Sequence, residues 1–247
     1  MKTVAAVAKM PSLDHLSSKD YQRVYEPSDD TFLLCDCLSA DAAELRRREP
    51  AVCVEVGSGS GCVIAHLASL LPASALLAGD VNRDAALTTR ATAAANGHRG
   101  RVDALRMDLL TALRPKSVDV LVFNPPYVPT SNEELAEALE SRGIAASWAG
   151  GSRGRLVLDR MLPQMVDDKL SSKGLFYLLG VAENDVAEIA QTLTEGCGLE
   201  ATLIGERRAQ NERLWVWRFA RPWIGGGGES MVASTANDES CATVSCH

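Results

Sequence analysis

Four consecutive residues, Asn124-Pro125-Pro126-Tyr127, carry groups that suit a flat –NH2. Asn124 offers an amide oxygen, and Pro125 offers a carbonyl without an N–H donor of its own. Two acceptors side by side can each take one N–H and so fix the direction of the nitrogen. Tyr127 can stack on the flat group, and the two prolines stiffen the turn. The run therefore indicates a site for an amide or an exocyclic amine.

A glycine-rich turn is the second feature of the sequence that could bind a ligand. Gly57, Gly59 and Gly61 alternate shortly after Glu55. Without side chains, they leave the backbone open to close approach by a ligand. A helix that begins near Gly61 would point free N–H groups at a carboxylate or a phosphate. The dinucleotide fingerprint G-x-G-x-x-G would need glycine where Cys62 stands, which disfavours an NAD-dependent oxidoreductase.

Acidic residues end the next two predicted strands. Asp80 ends the second strand, where a carboxylate can accept hydrogen bonds from both hydroxyls of a ribose. Asp108 and Leu109 end the third strand, where a polar group can meet an adenine amino group. The carboxyl ends of parallel strands share one edge of a sheet, so these residues and Asn124 should face one crevice. The spacing thus predicts a ligand that contains a nucleoside.

The elements that would position these residues alternate along the chain between strands and helices. Such alternation is typical of an α/β protein with a doubly wound, mostly parallel sheet. Seven strands are predicted, and the last two could form a hairpin that places one antiparallel C-terminal strand in the sheet. The predicted strands cover residues 51–56, 75–81, 102–107, 118–123, 174–181, 199–205 and 213–220. The predicted helices cover residues 61–71, 84–96, 155–170 and 184–193.

The composition is that of a globular domain. Of the 247 residues, 46% are hydrophobic and 23% are charged, which excludes collagen-like and wholly disordered chains. The net charge of −7 argues against a protein that binds nucleic acid mainly through phosphates, because such proteins are usually basic. We predict a flexible lead-in over residues 1–20, a single domain over residues 21–223 and a disordered Gly/Ser-rich tail over residues 224–247.

The N-terminal sequence and the cysteines indicate the cellular compartment of the protein. The apolar stretch Thr3–Ala8 is too short for a signal-peptide core, and no membrane span is expected. The seven cysteines contain no CxxC pair and indicate reduced thiols, so we expect a cytoplasmic protein, with the nucleus open as a second location. Cys241, Cys246 and His247 could ligate a metal, but no second ligand pair faces them and no metal site is expected.

Together these residues resemble the class I S-adenosylmethionine (SAM) methyltransferases. More narrowly, they resemble the HemK/PrmC-like family of protein glutamine N5-methyltransferases. The resemblance is strongest in Val24–Phe32, Glu55–Gly61, Asn124–Tyr127 and Ser147–Gly151 together with Gly154 and Arg155. Tyr25–Phe32 and Ser147–Gly151 are similar to the eukaryotic branch in particular, which methylates release factors. Bacterial members carry an extra N-terminal helical domain, for which the 50 residues before the first predicted strand leave no room.

The resemblance implies roles for particular residues. Asn124–Tyr127 would receive the acceptor amide. Trp148, Arg155 and Asp159 could shape the acceptor pocket or serve as packing and ion-pair residues, and both interpretations stay open. The residues expected to hold SAM are Thr31, Glu55, Gly57, Gly59, Gly61, Asp80, Asp108, Leu109 and Asn124.

The resemblance also implies a reaction and partners. The substrate would be a peptide chain release factor with a Gly-Gly-Gln loop. A small zinc-binding activator subunit would cover an apolar edge of the protein in a heterodimer. Methyl transfer from a sulfonium to an amide nitrogen needs in-line geometry more than a strong base, with the nitrogen about 3–3.5 Å from the methyl carbon.

Other functions remain open from the sequence. A nucleic-acid methyltransferase acting on adenine N6 or guanine N2 would use the same Asn-Pro-Pro-aromatic logic, since an exocyclic amine is also a flat –NH2. A protein lysine is a further acceptor. A catalytically inactive scaffold is disfavoured, because the glycine turn and the Asn124–Tyr127 run are both intact.

Overall fold

The structure, a computed structural model, describes residues 9–209 and 212–223. Its strands are β1 (Val52–Val56), β2 (Ala75–Asp80), β3 (Val102–Arg106), β4 (Val118–Phe123), β5 (Leu170–Val181), β6 (Glu200–Ala209) and β7 (Glu212–Ala220). They form one sheet in the order β3-β2-β1-β4-β5-β7-β6. The strands from β3 to β5 pair in parallel, and β7 runs antiparallel to both β5 and β6. The predicted fold, with one antiparallel strand near the C-terminus, is confirmed.

The helices within the described residues are α1 (Asp29–Ala40), α2 (Ala42–Arg47), α3 (Cys62–Leu70), α4 (Arg83–Ala95), α5 (Asn132–Ser141), α6 (Leu156–Asp159), α7 (Gln164–Lys169) and α8 (Val186–Cys197). The sequence pattern did not predict α1, α2 or α5. The single helix predicted over residues 155–170 is wrong, because that segment forms α6 and α7 with a break between them. Pro163 stands at the break and has no N–H to continue a helical hydrogen-bond ladder.

Helices cover both faces of the sheet. Successive side chains of a strand point to opposite faces, and β4 shows this directly. Val120 and Val122 join the apolar cluster formed with α1, α2, α3 and α4. Leu121 and Phe123 join the cluster formed with α5, α6, α7 and α8. A sheet buried on both faces holds its strands rigidly, so the loops at its carboxyl edge have a fixed base.

The N-terminal segment predicted as a flexible lead-in is described from residue 9 on, where it lies against α4. The backbone N–H of Ser12 donates to Asn96 Oδ1 at 2.8 Å, and Asn96 Nδ2 donates back to the Ser12 carbonyl at 2.9 Å. His15 Nε2 lies 3.0 Å from Thr92 Oγ1. The predicted tail over residues 224–247, with Cys241, Cys246 and His247, lies outside the described residues.

The described residues contain neither a membrane-spanning helix nor a cluster of metal ligands. No helix among them has the length and apolar character needed to cross a membrane. In the same part of the chain, no three His, Cys, Asp or Glu side chains are grouped so that they could hold a metal ion.

Candidate active site

A cleft lies at the carboxyl edge of the sheet, where β1, β2, β3 and β4 end. The chain places β2 and β3 on one side of β1, and β4 and β5 on the other side. Open α/β sheets bind ligands at such a switch in strand order. Gly61, Pro125 and Tyr127 are not among the lining residues. The predicted site residues that line the cleft are Thr31, Glu55, Gly57, Gly59, Asp80, Asp108, Leu109, Asn124 and Pro126.

Glu55 places a carboxyl group in the wall of the cleft with almost no exposure to solvent. The residue is 3% exposed, and its Oε2 atom has no hydrogen-bond partner among the described residues. Burial raises the pKa of the Glu55 carboxyl well above its usual range, and the neighbouring Cys62 thiol adds to the effect. A buried carboxylate without partners is costly unless a donor or a cation approaches it. The side chain is thus arranged to receive a positively charged ligand group.

The glycine turn has two structural roles. Gly57 and Gly59 adopt φ angles of 70° and 49°, which few residues with a side chain can adopt. The N–H of Gly57 donates to the Gly79 carbonyl at 2.8 Å and ties the turn to β2. Gly61 acts elsewhere, because a Cβ atom there would lie 2.7 Å from the Thr89 Cα atom. Because Gly61 has no side chain, the start of α3 can pack directly against α4. This packing holds the end of the glycine turn in place.

Asp80 combines an internal role with free acceptor capacity. Its Oδ2 accepts from the Gly59 N–H at 3.0 Å, and its Oδ1 accepts from the Asn82 N–H at 2.8 Å. Burial raises the pKa of this carboxyl. Each carboxylate oxygen can accept a second hydrogen bond, so two neighbouring hydroxyls can bind side by side. Asp80 therefore both anchors the glycine turn and suits a ribose.

The far end of the cleft is more apolar. Met107 and Leu109 are buried in its wall. Asp108 is paired with Arg160, whose Nη2 atom lies 2.5 Å from Asp108 Oδ2. An apolar wall beside a polar side chain suits the flat, nitrogen-rich ring of an adenine.

Asp30 organises the acceptor end of the cleft, although it is only 3% exposed. Its Oδ2 accepts from Asn124 Nδ2 at 2.9 Å and from the Tyr25 hydroxyl at 3.1 Å. The Tyr127 hydroxyl lies 3.5 Å from the same oxygen. Oδ1 accepts from the Thr31 N–H at 2.6 Å and from the Thr31 hydroxyl at 3.2 Å. One carboxylate at the start of α1 thus fixes the side chain of Asn124.

The consequence for Asn124 is a free acceptor. With Nδ2 held by Asp30, the Oδ1 atom is buried and has no partner in the part of the chain that the structure describes. A buried acceptor without a donor is costly, and a ligand N–H would relieve that cost. Burial and the Asp30 charge raise the pKa of the Tyr127 phenol, so it stays protonated and does not act as a base. The arrangement binds an N–H group without offering a proton acceptor from Tyr127.

Comparison with known proteins identifies the family. The family described as Methyltransferase small domain matches residues 30–159. Methyltransferase HEMK2 of Mus musculus is 45% identical over 215 residues, which cover 85% of this chain and 96% of that protein. The eRF1 methyltransferase catalytic subunit mtq2 of Schizosaccharomyces pombe is 35% identical over 224 residues, covering 85% of this chain and 95% of that protein. This chain belongs to the HEMK2/Mtq2 family of methyltransferases.

A solved structure agrees with this methyltransferase family. A chain of the solved E. cuniculi Mtq2-Trm112 complex superposes on this chain with a TM-score of 0.55 at 28% identity. The match covers 80% of this chain and 98% of that chain. That complex is responsible for methylation of the eRF1 translation termination factor. The fold, the family and the enzyme class therefore agree.

The residues that line the cleft of this methyltransferase suit the chemical groups of SAM. The partnerless Glu55 Oε2 would receive the ammonium group, Asp80 the ribose hydroxyls, and the wall near Met107 and Leu109 the adenine. SAM, when bound, supplies a methyl group on a positively charged sulfur. The remaining work of orienting an acceptor falls to the end of the cleft around Asn124.

Sequence reasoning omitted Asp30 from the site of the methyltransferase, although it lies in a segment of strong family resemblance. A signal was present, because Ser28 followed by two aspartates is typical of a helix start. The two interpretations of Trp148, Arg155 and Asp159 are separated by the structure. None of the three lines the cleft, and Arg155 Nη2 pairs with Asp159 Oδ1 at 2.9 Å. Packing and ion pairing describe them better than direct contact with an acceptor.

Proposed function

We propose that this methyltransferase transfers a methyl group from SAM to the side-chain amide nitrogen of a glutamine in the Gly-Gly-Gln loop of a translation release factor. The observation that carries the proposal is the buried Asn124 Oδ1 atom, which lacks a partner while Asp30 holds the other end of the amide. A planar –NH2 group supplies the missing donor. The eRF1 translation termination factor that is named as the substrate of Mtq2 supports a release factor as the acceptor.

The protein's part in the reaction is to hold and orient the amide. Asn124 Oδ1 accepts one N–H of the amide and so directs the nitrogen into the cleft. The Pro125 carbonyl stays a predicted acceptor for the second N–H, since Pro125 is not among the residues that line the cleft. The partial negative charges of these oxygens stabilise the positive charge that grows on the nitrogen as the new bond forms. Such fixed acceptors contribute through orientation more than through proton transfer.

The leaving proton has no base waiting within the Asn124–Tyr127 turn. Asp30 already accepts from Asn124 and Tyr25 through Oδ2 and from Thr31 through Oδ1. An amide nitrogen becomes strongly acidic once methylated, so its proton leaves late, to water. The amide nitrogen thus gains one methyl group and loses one proton.

A small zinc-binding activator subunit completes the proposal, as a heterodimer partner in the cytoplasm. The Mtq2 structure described as a complex with Trm112 supports a partner of this kind. The sheet ends in β3 on one side, and that side exposes apolar side chains. Leu105 on β3 is 40% exposed, and Leu87 on the adjoining α4 is 51% exposed. An open strand edge beside exposed leucines is a surface that a second chain can cover.

The test is methyl transfer from labelled SAM by the chain co-expressed with its candidate activator. The substrate is a release factor with a Gly-Gly-Gln loop, and the matched control is the same factor with that glutamine replaced by glutamate. Label on the first factor and not on the second is the expected result. Label only on adenine-containing RNA or DNA in a parallel reaction would replace the proposal with a nucleic-acid acceptor, and label on lysine would replace it with an amine.

A further inference from the structure

The acceptor turn rests on a second loop, residues 148–154, which we call the supporting loop. The N–H of Val128 donates to the Trp148 carbonyl at 3.1 Å, and the N–H of Gly150 donates to the Val128 carbonyl at 2.9 Å. Further along, the N–H of Thr130 donates to the Gly151 carbonyl at 3.1 Å. The strand-like pairing of Val128 with the supporting loop fixes the chain directly after the Asn124–Tyr127 turn.

The two backbones touch without side chains between them. A Cβ atom on Gly150 would lie 2.4 Å from the Pro126 carbonyl oxygen. A Cβ atom on Gly154 would lie 1.8 Å from the Tyr127 carbonyl oxygen, and Gly154 also has a φ of 65°. Side chains at these positions would push the acceptor turn out of place. The supporting loop therefore acts as a closely fitted base for the turn.

Asn184 joins the turn and the supporting loop with a single side chain. It follows β5 and is 2% exposed. Its Nδ2 atom donates to the Tyr127 carbonyl at 3.1 Å and to the Arg153 carbonyl at 3.0 Å. The Gly154 carbonyl lies 3.3 Å from the same nitrogen. Three carbonyls from two segments that are far apart in sequence thus converge on one amide group.

Asn184 is itself held from two sides. Its Oδ1 atom accepts from the Val181 N–H at 3.0 Å, which fixes the amide plane. The buried Arg155 donates from Nη1 to the Asn184 carbonyl at 3.3 Å and from the same atom to Glu188 Oε2 at 3.0 Å. A side chain fixed by its neighbours can set the position of the groups it binds.

We infer that Asn184 is a positioning residue for methyl transfer: it sets the place of the Asn124–Tyr127 turn through the Tyr127 carbonyl. Asn184 does not line the cleft, so it has no direct part in holding SAM. A displacement of about 1 Å in a reacting group can cost about 100-fold in rate. Loss of the Asn184 amide donors should therefore reduce turnover and leave the affinity for SAM unchanged. The inference rests on the proposed function only for the choice of acceptor.

The first test compares Asn184→Asp with a matched control, Asn96→Asp. Aspartate at 184 keeps the shape and the acceptor for Val181 but turns a carboxylate oxygen toward three carbonyls. Asn96 likewise donates to two carbonyls, those of Ser12 and Thr92, at a distance from the cleft. We expect kcat to fall by about 10-fold to 100-fold in Asn184→Asp, with the Kd for SAM within about 2-fold of wild type. Asn96→Asp should retain wild-type kcat.

Asn184→Ala, which removes the donors without adding charge, should show the same separation with a smaller loss and serves if Asn184→Asp does not fold. Wild-type kcat in both variants would overturn the inference. So would a loss of SAM affinity as large as the loss of kcat, because that pattern describes general damage to the fold.

A second readout needs no acceptor. The backbone amides of Val128, Gly150 and Thr130 lie in the contact between the turn and the supporting loop, so their hydrogen exchange reports on it. Exchange should become faster at these amides in Asn184→Asp and stay at the wild-type rate in Asn96→Asp. Unchanged exchange would contradict the positioning role. If the wild-type chain methylates no release factor, the proposed function fails, while the exchange experiment still decides the role of Asn184.

Discussion

The cofactor end and the acceptor end of the cleft are built in different ways. At the cofactor end, Glu55 and Asp80 belong to β1 and β2, and Gly57 follows β1 directly. Backbone pairing in the sheet therefore fixes these groups. At the acceptor end, Asn124 depends on Asp30, which is 94 residues away in the chain, and on the supporting loop. Substitutions at the first end should change affinity or stability, and substitutions at the second should change turnover.

The largest effect is expected for Asn124→Ala. The variant loses the partnerless oxygen that receives the amide, and losing one such fixed group typically lowers kcat by about 100-fold to 1000-fold. The Kd for SAM, measured by calorimetry, should stay within about 2-fold of wild type, since other residues supply most of the SAM contacts. A variant with wild-type turnover would remove Asn124 from the catalytic site.

Asp80→Ala should show the opposite pattern. The variant loses the ribose acceptors and the anchor of the Gly59 and Asn82 amides. Hydrogen bonds to a charged group contribute about 1.5–3 kcal/mol, so the Kd for SAM should rise by about 10-fold to 100-fold. At saturating SAM, kcat should approach that of wild type. An unchanged Kd would take Asp80 out of the cofactor site.

Asp30→Asn sharpens the comparison at the acceptor end. Asn124 and Tyr25 both donate a hydrogen bond to Asp30 Oδ2 in the wild type. An asparagine at position 30 has one acceptor oxygen fewer and an –NH2 group in its place. The Asn124 amide is then no longer held in one position, and because a misplaced group at a reacting centre lowers turnover, we expect kcat to fall by about 5-fold to 30-fold. Asp36→Asn, on the same helix but exposed and paired with Arg207, is the matched control and should keep its activity. Equal effects of the two substitutions would contradict the role of Asp30.

The smallest effect is expected for Glu55→Gln, and it concerns stability. The pKa of Glu55 is raised in the folded protein, so the folded state keeps this proton at pH values where the unfolded state has released it. Wild-type stability therefore declines, relative to the variant, as the pH rises above about 4.5, the value for an unburied glutamate. The ligand-free variant should melt at a higher temperature near pH 8, by about 2–4 °C for each kcal/mol relieved.

The cost of that stabilisation should be weaker binding of SAM, because the neutral amide no longer attracts an ammonium group. Thermal melts at pH 5 and pH 8, with and without SAM, measure both effects. A variant that is less stable than wild type at pH 8 and equally stable at pH 5 would show that the buried carboxyl is not the costly group.

Much of the cofactor end follows from the sequence alone. Strand β1 was predicted over residues 51–56 and is observed over Val52–Val56, and the predicted position of Asp80 at the end of a strand is confirmed. The physical reason is local. A buried parallel strand is a short apolar run, and the turn after it carries its ligand residues within a few positions. The family resemblance of the same residues then indicated SAM.

The sequence predicted only part of the acceptor end. The Asn124–Tyr127 run predicted two acceptors for a flat –NH2 group, but the sequence could not show that Asp30 fixes the Asn124 amide. Helix α1, which carries Asp30, was not predicted, because its buried face includes polar residues that break the apolar period. Nor could spacing show that Asn184, Gly150 and Gly154 support the turn. Hydrogen bonds between segments distant in sequence leave no periodic trace, so only the tertiary structure decided which side chains hold the acceptor end in place.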